Sequence, residues 1–164
     1  MNWYGLLKFL HVVSVILFIG GIFSRQLVRG FARTVDNIQV FANLSRAAGR
    51  IERVLVIPGM NAAVVLGVIL ALVSGAPILG FLQGAAQNWL LVSNLLLVTG
   101  MVLVPVVYLP RGKKYEPLLQ AALAEGRVTP ELRAALDDRV VKLAHLYEEV
   151  MVIVVVALMV FRPF

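Results

Sequence analysis

The sequence predicts an all-α membrane protein: a four-transmembrane-helix antiparallel bundle with helical extensions on the cytoplasmic side. Three observations carry that prediction. Of 164 residues, 60% are hydrophobic and only 15% are charged, whereas a soluble domain is about half apolar and about a quarter charged. Residues 54–110 contain no Asp, Glu, Lys or Arg, a run too long to hide in a soluble core of this size. The remaining charge gathers in two of the three connections between apolar runs. A helix needs about 20 apolar residues to cross a bilayer, and four runs meet that length within one integral membrane domain, 1–164: about 5–23, 54–73, 89–109 and 146–161.

The first span opens the chain. It lacks the basic n-region and the small-residue cleavage site of a signal peptide, so it reads as a retained anchor. Trp3 and Tyr4 mark its start, and Trp89, Tyr108 and Tyr147 mark other span ends, where interfacial aromatic rings belong. The connection 24–53 carries six arginines: Arg25, Arg29, Arg33, Arg46, Arg50 and Arg53. Asp36 or Asn37 is placed to cap a helix through "IQVFANLSRAAGRIERVL" into the second span. Pro58 in the second span and Pro105 in the third are expected to kink their helices. The connection 74–88 between them has no basic residue.

The last connection, 110–145, holds seven: Arg111, Lys113, Lys114, Arg127, Arg133, Arg139 and Lys142. It predicts a short helix, a break at Gly126, and a second helix starting at Thr129-Pro130 with Glu131 in its first turn. That second helix is expected to continue into the fourth span. Basic connections stay in the cytoplasm, so both termini and 74–88 face outward across a bacterial cytoplasmic (inner) membrane.

Several functions are excluded. Without cysteine there is no disulfide framework, thiolate metal site or cysteine nucleophile. The net charge of +6 lies beside apolar spans, which fits orientation and anionic lipid rather than nucleic acid. "RGKK" (111–114) lacks the following Ser/Thr of a phosphate loop.

Ionisable groups inside the apolar runs are the candidates that remain. Lys8 and His11 stand three residues apart on one face of the first span. His11 lies roughly 9 Å below the outer edge at 1.5 Å per residue, and Asn94 and Gly67 reach nearly the same height. Gly20, Gly21, Gly67 and Gly100 allow close helix approach or room for a flat ligand. An intramembrane charge is a functional hypothesis by default, although Lys8 near a helix end also snorkels to headgroups. For His11 two readings stand: an interhelical hydrogen bond, or ligation of a metal or haem through a ring nitrogen. A second polar group comprises Glu52, Arg53, Tyr108, Arg111, His145, Tyr147, Glu148 and Glu149. His145, Glu148 and Glu149 share one helix face, arranged either to bind a metal or shuttle protons, or to join a salt-bridge network with Arg25 and Arg53. His11 and His145 lie at opposite depths, so they cannot flank one haem.

"RIERVLVIPGMNAAVVLGVILAL" resembles the second helix of HemJ-type protoporphyrinogen oxidases at Glu52, Arg53, Leu55, Pro58, Met60 and Gly67. "LHVVSVILFIGGIF" resembles that family's first helix, whose haem-ligating histidine matches His11 and whose glycine matches Gly21. The ending "ALMVFRPF" resembles its basic-Pro-Phe terminus. The "LKFLH…GG" opening and "MVFRP" ending look closer still to an uncharacterised bacterial four-helix family of integral membrane proteins, a domain-of-unknown-function group. The HemJ resemblance implies haem b with His11 as ligand; on a haem reading Lys8 would partner a propionate or a substrate carboxylate, and Asn94 would stand either behind the ligand or on the distal side. The chain departs from that pattern where Ser93 and Asn94 replace a lysine after Trp89, and the 110–145 connection is longer. The scaffold and haem are therefore implied more strongly than the oxidase activity.

Three functions follow as expectations. The first is a haem b-binding protein with a redox role. The second is a non-enzymatic accessory subunit of a larger respiratory or photosynthetic complex, and the third a small transporter or metal-handling protein. Besides the lipid bilayer, the expected partner is a second copy in a homodimer or the other subunits of a membrane complex.

Overall fold

The structure is a computed structural model, and it describes residues 2–164. All regular structure among the described residues is helical. Asn2 begins α1 (Trp3–Arg33) by accepting the Gly5 N–H on its side-chain oxygen. At 1.5 Å per residue these 31 residues extend about 46 Å, well beyond the roughly 30 Å hydrocarbon layer. The helix thus overruns its expected end at residue 23 and carries its three arginines out of the apolar zone.

Asn37, rather than Asp36, caps α2 (Ile38–Ser74), accepting from Gln39 and Val40 N–H at 3.0 and 3.1 Å. Asp36 instead receives Arg133 at 2.7 Å. Gly75, at φ +67°, ends α2 in the left-handed region. A short 3-10 turn, Gly80–Gln83, leads to α3 (Trp89–Glu125). No separate short helix follows the third span: α3 runs unbroken through Pro105, Pro110 and Pro117 to Gly126.

Thr129 then caps α4 (Pro130–Leu136), its hydroxyl oxygen accepting from Leu132 N–H at 3.2 Å. The expected continuation into the fourth span does not occur. Asp138 withdraws from the helix to cap a new one, α5 (Arg139–Phe161), accepting from Val140 and Val141 N–H at 2.8 and 3.1 Å. Asp137 meanwhile holds Lys142 at 2.7 Å and Arg33 at 3.2 Å. Two adjacent carboxylates with better partners outside the helix stop it there.

The two expected kinks are π-turns. Glu52–Val56 widens α2 just before Pro58, and Val104–Tyr108 widens α3 around Pro105. Proline removes an N–H and crowds the carbonyl four residues back. Bonds that skip five residues, Ile57 to Glu52 and Leu109 to Val104, make room for it.

Four helices are long and apolar enough to cross a membrane: α1, α2, α3, and α5 with its α4 prelude. Only 22–33% of each apolar window is buried inside the protein, so most apolar side chains face outward, as a lipid-embedded bundle requires. α1 lies along α2, and α3 lies along α5. The Phe164 carbonyl accepts the Asn88 and Trp89 N–H groups at 2.9 and 3.1 Å. The C-terminal residues and the 74–88 connection therefore share one end, the charge-poor end. Between the pairs, Phe18, Ile22, Val56, Met151 and Val152 form the mid-bundle core. At the charge-rich end the overhanging helices build a separate core of soluble type around fully buried Phe41 and Leu132.

Candidate functional site

The charge-poor half of the bundle holds a partly open cavity of about 770 Å³ between the two helix pairs. This volume lies within the range of small-molecule sites, about 300–1,000 Å³. Its walls are mainly Val, Ile, Leu and Met from α1, α2, α3 and α5, and its polar members include Tyr4, Lys8, His11, Asn94 and Arg162. All three residues singled out from the sequence as cofactor-binding, Lys8, His11 and Asn94, line this one space.

His11 is the most constrained of them. Its Nδ1 lies 2.9 Å from the Ala63 carbonyl oxygen on α2. A carbonyl only accepts, so Nδ1 carries the hydrogen, and in the neutral ring Nε2 keeps its lone pair. Among the described residues Nε2 has no hydrogen-bond partner. Gly67, one turn beyond Ala63, explains how the ring reaches the backbone: a Cβ there would stand 3.0 Å from His11 Cε1. Lys8 is exposed one turn nearer the charge-poor end. Asn94 is held loosely, its Nδ2 donating to the Ile78 carbonyl at 3.4 Å.

Of the other small residues expected at helix crossings, Gly21 and Gly100 also lie against neighbours. A Cβ at Gly21 would meet Val56 at 2.9 Å, and one at Gly100 would meet Met151 at 2.9 Å. Gly20 faces open space, so it supports no crossing. Gly59, where a Cβ would stand 2.8 Å from the Phe18 backbone nitrogen, is the crossing contact that span counting missed.

The second polar group is smaller than the sequence suggested and centres on Arg25. That side chain is 4% exposed. Its NH1 donates to Glu52, and its NH2 donates to Glu148 Oε2 at 2.6 Å and to His145 Nδ1 at 3.0 Å. The Tyr108 hydroxyl reaches the same Nδ1 at 3.2 Å, and its ring stacks on His145 with centroids 4.9 Å apart. Helical spacing brings His145 and Glu148 to 3.3 Å, but Glu149 joins no hydrogen bond among the described residues. Arg53 donates to the Gly49 carbonyl, Arg111 pairs with Asp138, and Tyr147 meets Thr99. Among the described residues no group of three or more His, Asp or Glu side chains is arranged to hold a metal. The salt-bridge reading thus describes the geometry, with Glu52 in place of Arg53 and Glu149.

The family model described as "Predicted integral membrane protein (DUF2269)" matches residues 5–163. The chain belongs to this family. No curated protein and no solved structure matches it. The match takes in all four spans of this DUF2269 protein and both polar groups, and ends at Pro163.

Sequence reasoning missed Arg162. Its guanidinium lies 5.1 Å from the centre of the Trp89 ring, within reach of a cation–π contact, and it adds a second cation to the cavity wall. The signal was present as the terminal "RPF" and an interfacial tryptophan. Which helix end the terminus would return to is a tertiary fact.

Proposed function

We propose that this DUF2269 protein binds haem b in the cavity between its helix pairs, where His11 Nε2 would hold the group, and serves in membrane electron transfer. One observation carries the reading: the His11 tautomer is set by the Ala63 carbonyl, which leaves Nε2 unprotonated beside the cavity. A ligating histidine typically donates its other ring N–H to a carbonyl or carboxylate, which fixes the ring and raises ligand basicity. The remaining lining fits the same group. Apolar walls suit a macrocycle, Lys8 and Arg162 offer cations for two propionates, and Asn94 supplies a polar side chain to the same space. The resemblance of the first two spans to HemJ-type oxidases supports the scaffold, while Ser93 and Asn94 in place of that family's lysine separate the chain from the oxidase activity. Bound haem would supply one-electron chemistry. The residues of this chain hold the ring nitrogen, orient the carboxylates and keep water from the apolar walls. With basic connections on the cytoplasmic side, the cavity lies toward the outer leaflet of a bacterial inner membrane.

The test is an absorption spectrum of protein purified in mild detergent, first oxidised and then reduced with dithionite. The expected result is a Soret band with sharp reduced bands, lost in His11→Ala. A featureless spectrum after haem supplementation during expression refutes the proposal, as do bands that survive in His11→Ala. Either result reduces His11 to a bridge between α1 and α2 and favours the accessory-subunit reading.

A further inference from the structure

We propose that the cavity is loaded sideways, from the outer leaflet, through an opening between α1 and α5, and that what enters is an apolar molecule of the bilayer with carboxylates at one edge. The identity of that molecule rests on the haem reading, since a dicarboxylate tetrapyrrole has this form. The route does not depend on it.

The route follows from where the helices touch. The core and hydrogen bonds that join α1 to α5 lie at mid-bundle and beyond it toward the charge-rich end: Phe18 and Ile22 with Met151 and Val152, then Arg25 with His145 and Glu148. Nearer the charge-poor end, α1 is bonded to α2 through His11 and Ala63. The buried core of that end, Ala71, Trp89, Leu90 and Leu158, joins α2, α3 and α5 but takes no member from α1. Val12 and Ile16 on α1, and Val156 and Val160 on α5, line the cavity. Each is nevertheless exposed, Ile16 by 62% and Val160 by 68%. Side chains that face both the cavity and the surroundings form the rim of an opening, and along an apolar span the surroundings are hydrocarbon. Aliphatic rim residues offer a hydrated solute nothing in exchange for its water. A molecule already dissolved in lipid crosses the same rim without that cost.

The acidic edge follows from charge. Lys8 and Arg162 are the only charged side chains in 1–24, 54–110 and 150–164, the segments that build this half of the bundle, and both line the cavity. None of the nine acidic residues falls in these segments. Arg162 lies against the Trp89 ring rather than a carboxylate. Two cations beside an apolar space, with no acidic side chain at hand, suit a ligand that brings its own anions. Lys8 stands one turn outside His11, and Arg162 closes α5 as its C-cap. Carboxylates held there stay at headgroup level while the apolar body lies deeper.

The probe is metal-free protoporphyrin IX, which needs no axial ligand. It is supplied through the lipid to protein reconstituted in phosphatidylcholine vesicles, and bound porphyrin per protein is read against time after the protein is re-isolated. The chain has no cysteine, so Val156→Cys places a single thiol on the rim. Reaction with a bulky maleimide should abolish the loading that the unreacted variant shows. The same reaction at Ile153→Cys, exposed on α5 but off the cavity, should leave loading unchanged. At equilibrium the wild-type protein should prefer the porphyrin to its uncharged dimethyl ester by about tenfold, the worth of two ion pairs of the exposed kind. Lys8→Gln with Arg162→Gln should erase that preference. Loading that survives the maleimide at Val156→Cys, or is lost equally at Ile153→Cys, overturns the route. Equal wild-type affinity for acid and ester overturns the acidic edge, and no porphyrin uptake by the wild type overturns both. The haem reading answers to a different result: porphyrin that loads as described, with no haem band dependent on His11, keeps this inference and removes that one. Haem bands dependent on His11, with loading indifferent to the maleimide, do the reverse.

Discussion

Replacing Arg25 with methionine tests what holds the charge-rich end of the bundle together. The substitution keeps a long, flexible apolar stem but removes the cation shared by Glu52 and Glu148. Arg25 is nearly inaccessible and the Glu148 side chain is 11% exposed, so solvent cannot take over their charge. Removing one partner of a buried ion pair costs about 3–5 kcal/mol, because the other charge stays behind uncompensated. For a chain of this length each kcal/mol lowers the melting temperature by about 2–4 °C, so Arg25→Met should melt roughly 6–20 °C below wild type. Far-ultraviolet circular dichroism in one detergent at neutral pH is a sufficient assay.

The decisive comparison is a double-mutant cycle. Glu148→Gln in the Arg25→Met background removes the stranded charge and should recover part of the loss, with a coupling of about 1–3 kcal/mol. Arg53→Met is the control, since Arg53 is exposed and bonds only the Gly49 carbonyl. It should change stability by less than about 0.5 kcal/mol. If Arg25→Met melts with Arg53→Met, or if the two losses in the cycle simply add, the reasoning that Arg25 is the buried centre of this network fails.

Two further outcomes follow from the geometry. Gly67→Val would place branched carbons where a single Cβ already stands 3.0 Å from His11 Cε1. Overpacking of this kind costs about 1–3 kcal/mol and should shift the His11 ring NMR signals by breaking the bond to Ala63, whereas an unmoved His11 signal would show that the ring does not rest on α2. At the α4–α5 junction, Val141 N–H first, then Val140 N–H and Arg111, holds the Asp138 carboxylate below its ordinary range, and Lys142 above all does the same for Asp137. Both groups therefore contribute stability that is complete above the unfolded carboxylate value, about 3.9, and disappears as pH falls through the lower folded value. Asp138→Ala should cost about 1 kcal/mol at neutral pH through the lost cap and flatten the acid limb of a stability–pH curve. Asp138→Asn should keep the cap and flatten only the acid limb; an unchanged acid limb in both variants would remove Asp138 from the explanation.

The elements differ in how legible they were. The spans were visible because a bilayer demands about 20 apolar residues whatever surrounds them. Asn37, Gly126 and Thr129 act where local backbone chemistry placed them. The break at Asp137–Asp138 was not visible, because it depends on Lys142 and Arg33 offering the first aspartate a better partner than the helix does. The π-turns were foreshadowed as kinks at Pro58 and Pro105, but proline signals only a defect in the ladder, not how the backbone absorbs it. In the second polar group, helical spacing brought out His145 and Glu148 as neighbours. It equally suggested Glu149, which points elsewhere by the 100° that separates adjacent helical residues.

The sequence by itself determined the solvent and the count: a chain with residues 54–110 free of charge is driven into lipid, and the length of its apolar runs sets four crossings. It also determined which ionisable groups lie deep, since position along a span is depth. What only the tertiary structure decided is which of those groups share a space. Lys8, His11, Asn94 and Arg162 meet in one cavity, and Arg25 meets residues 27 and 123 positions away, because helix rotation and crossing set lateral neighbours. That packing depends on close approaches at Gly21, Gly59 and Gly67, where the missing side chain matters and no pattern of hydrophobicity records it.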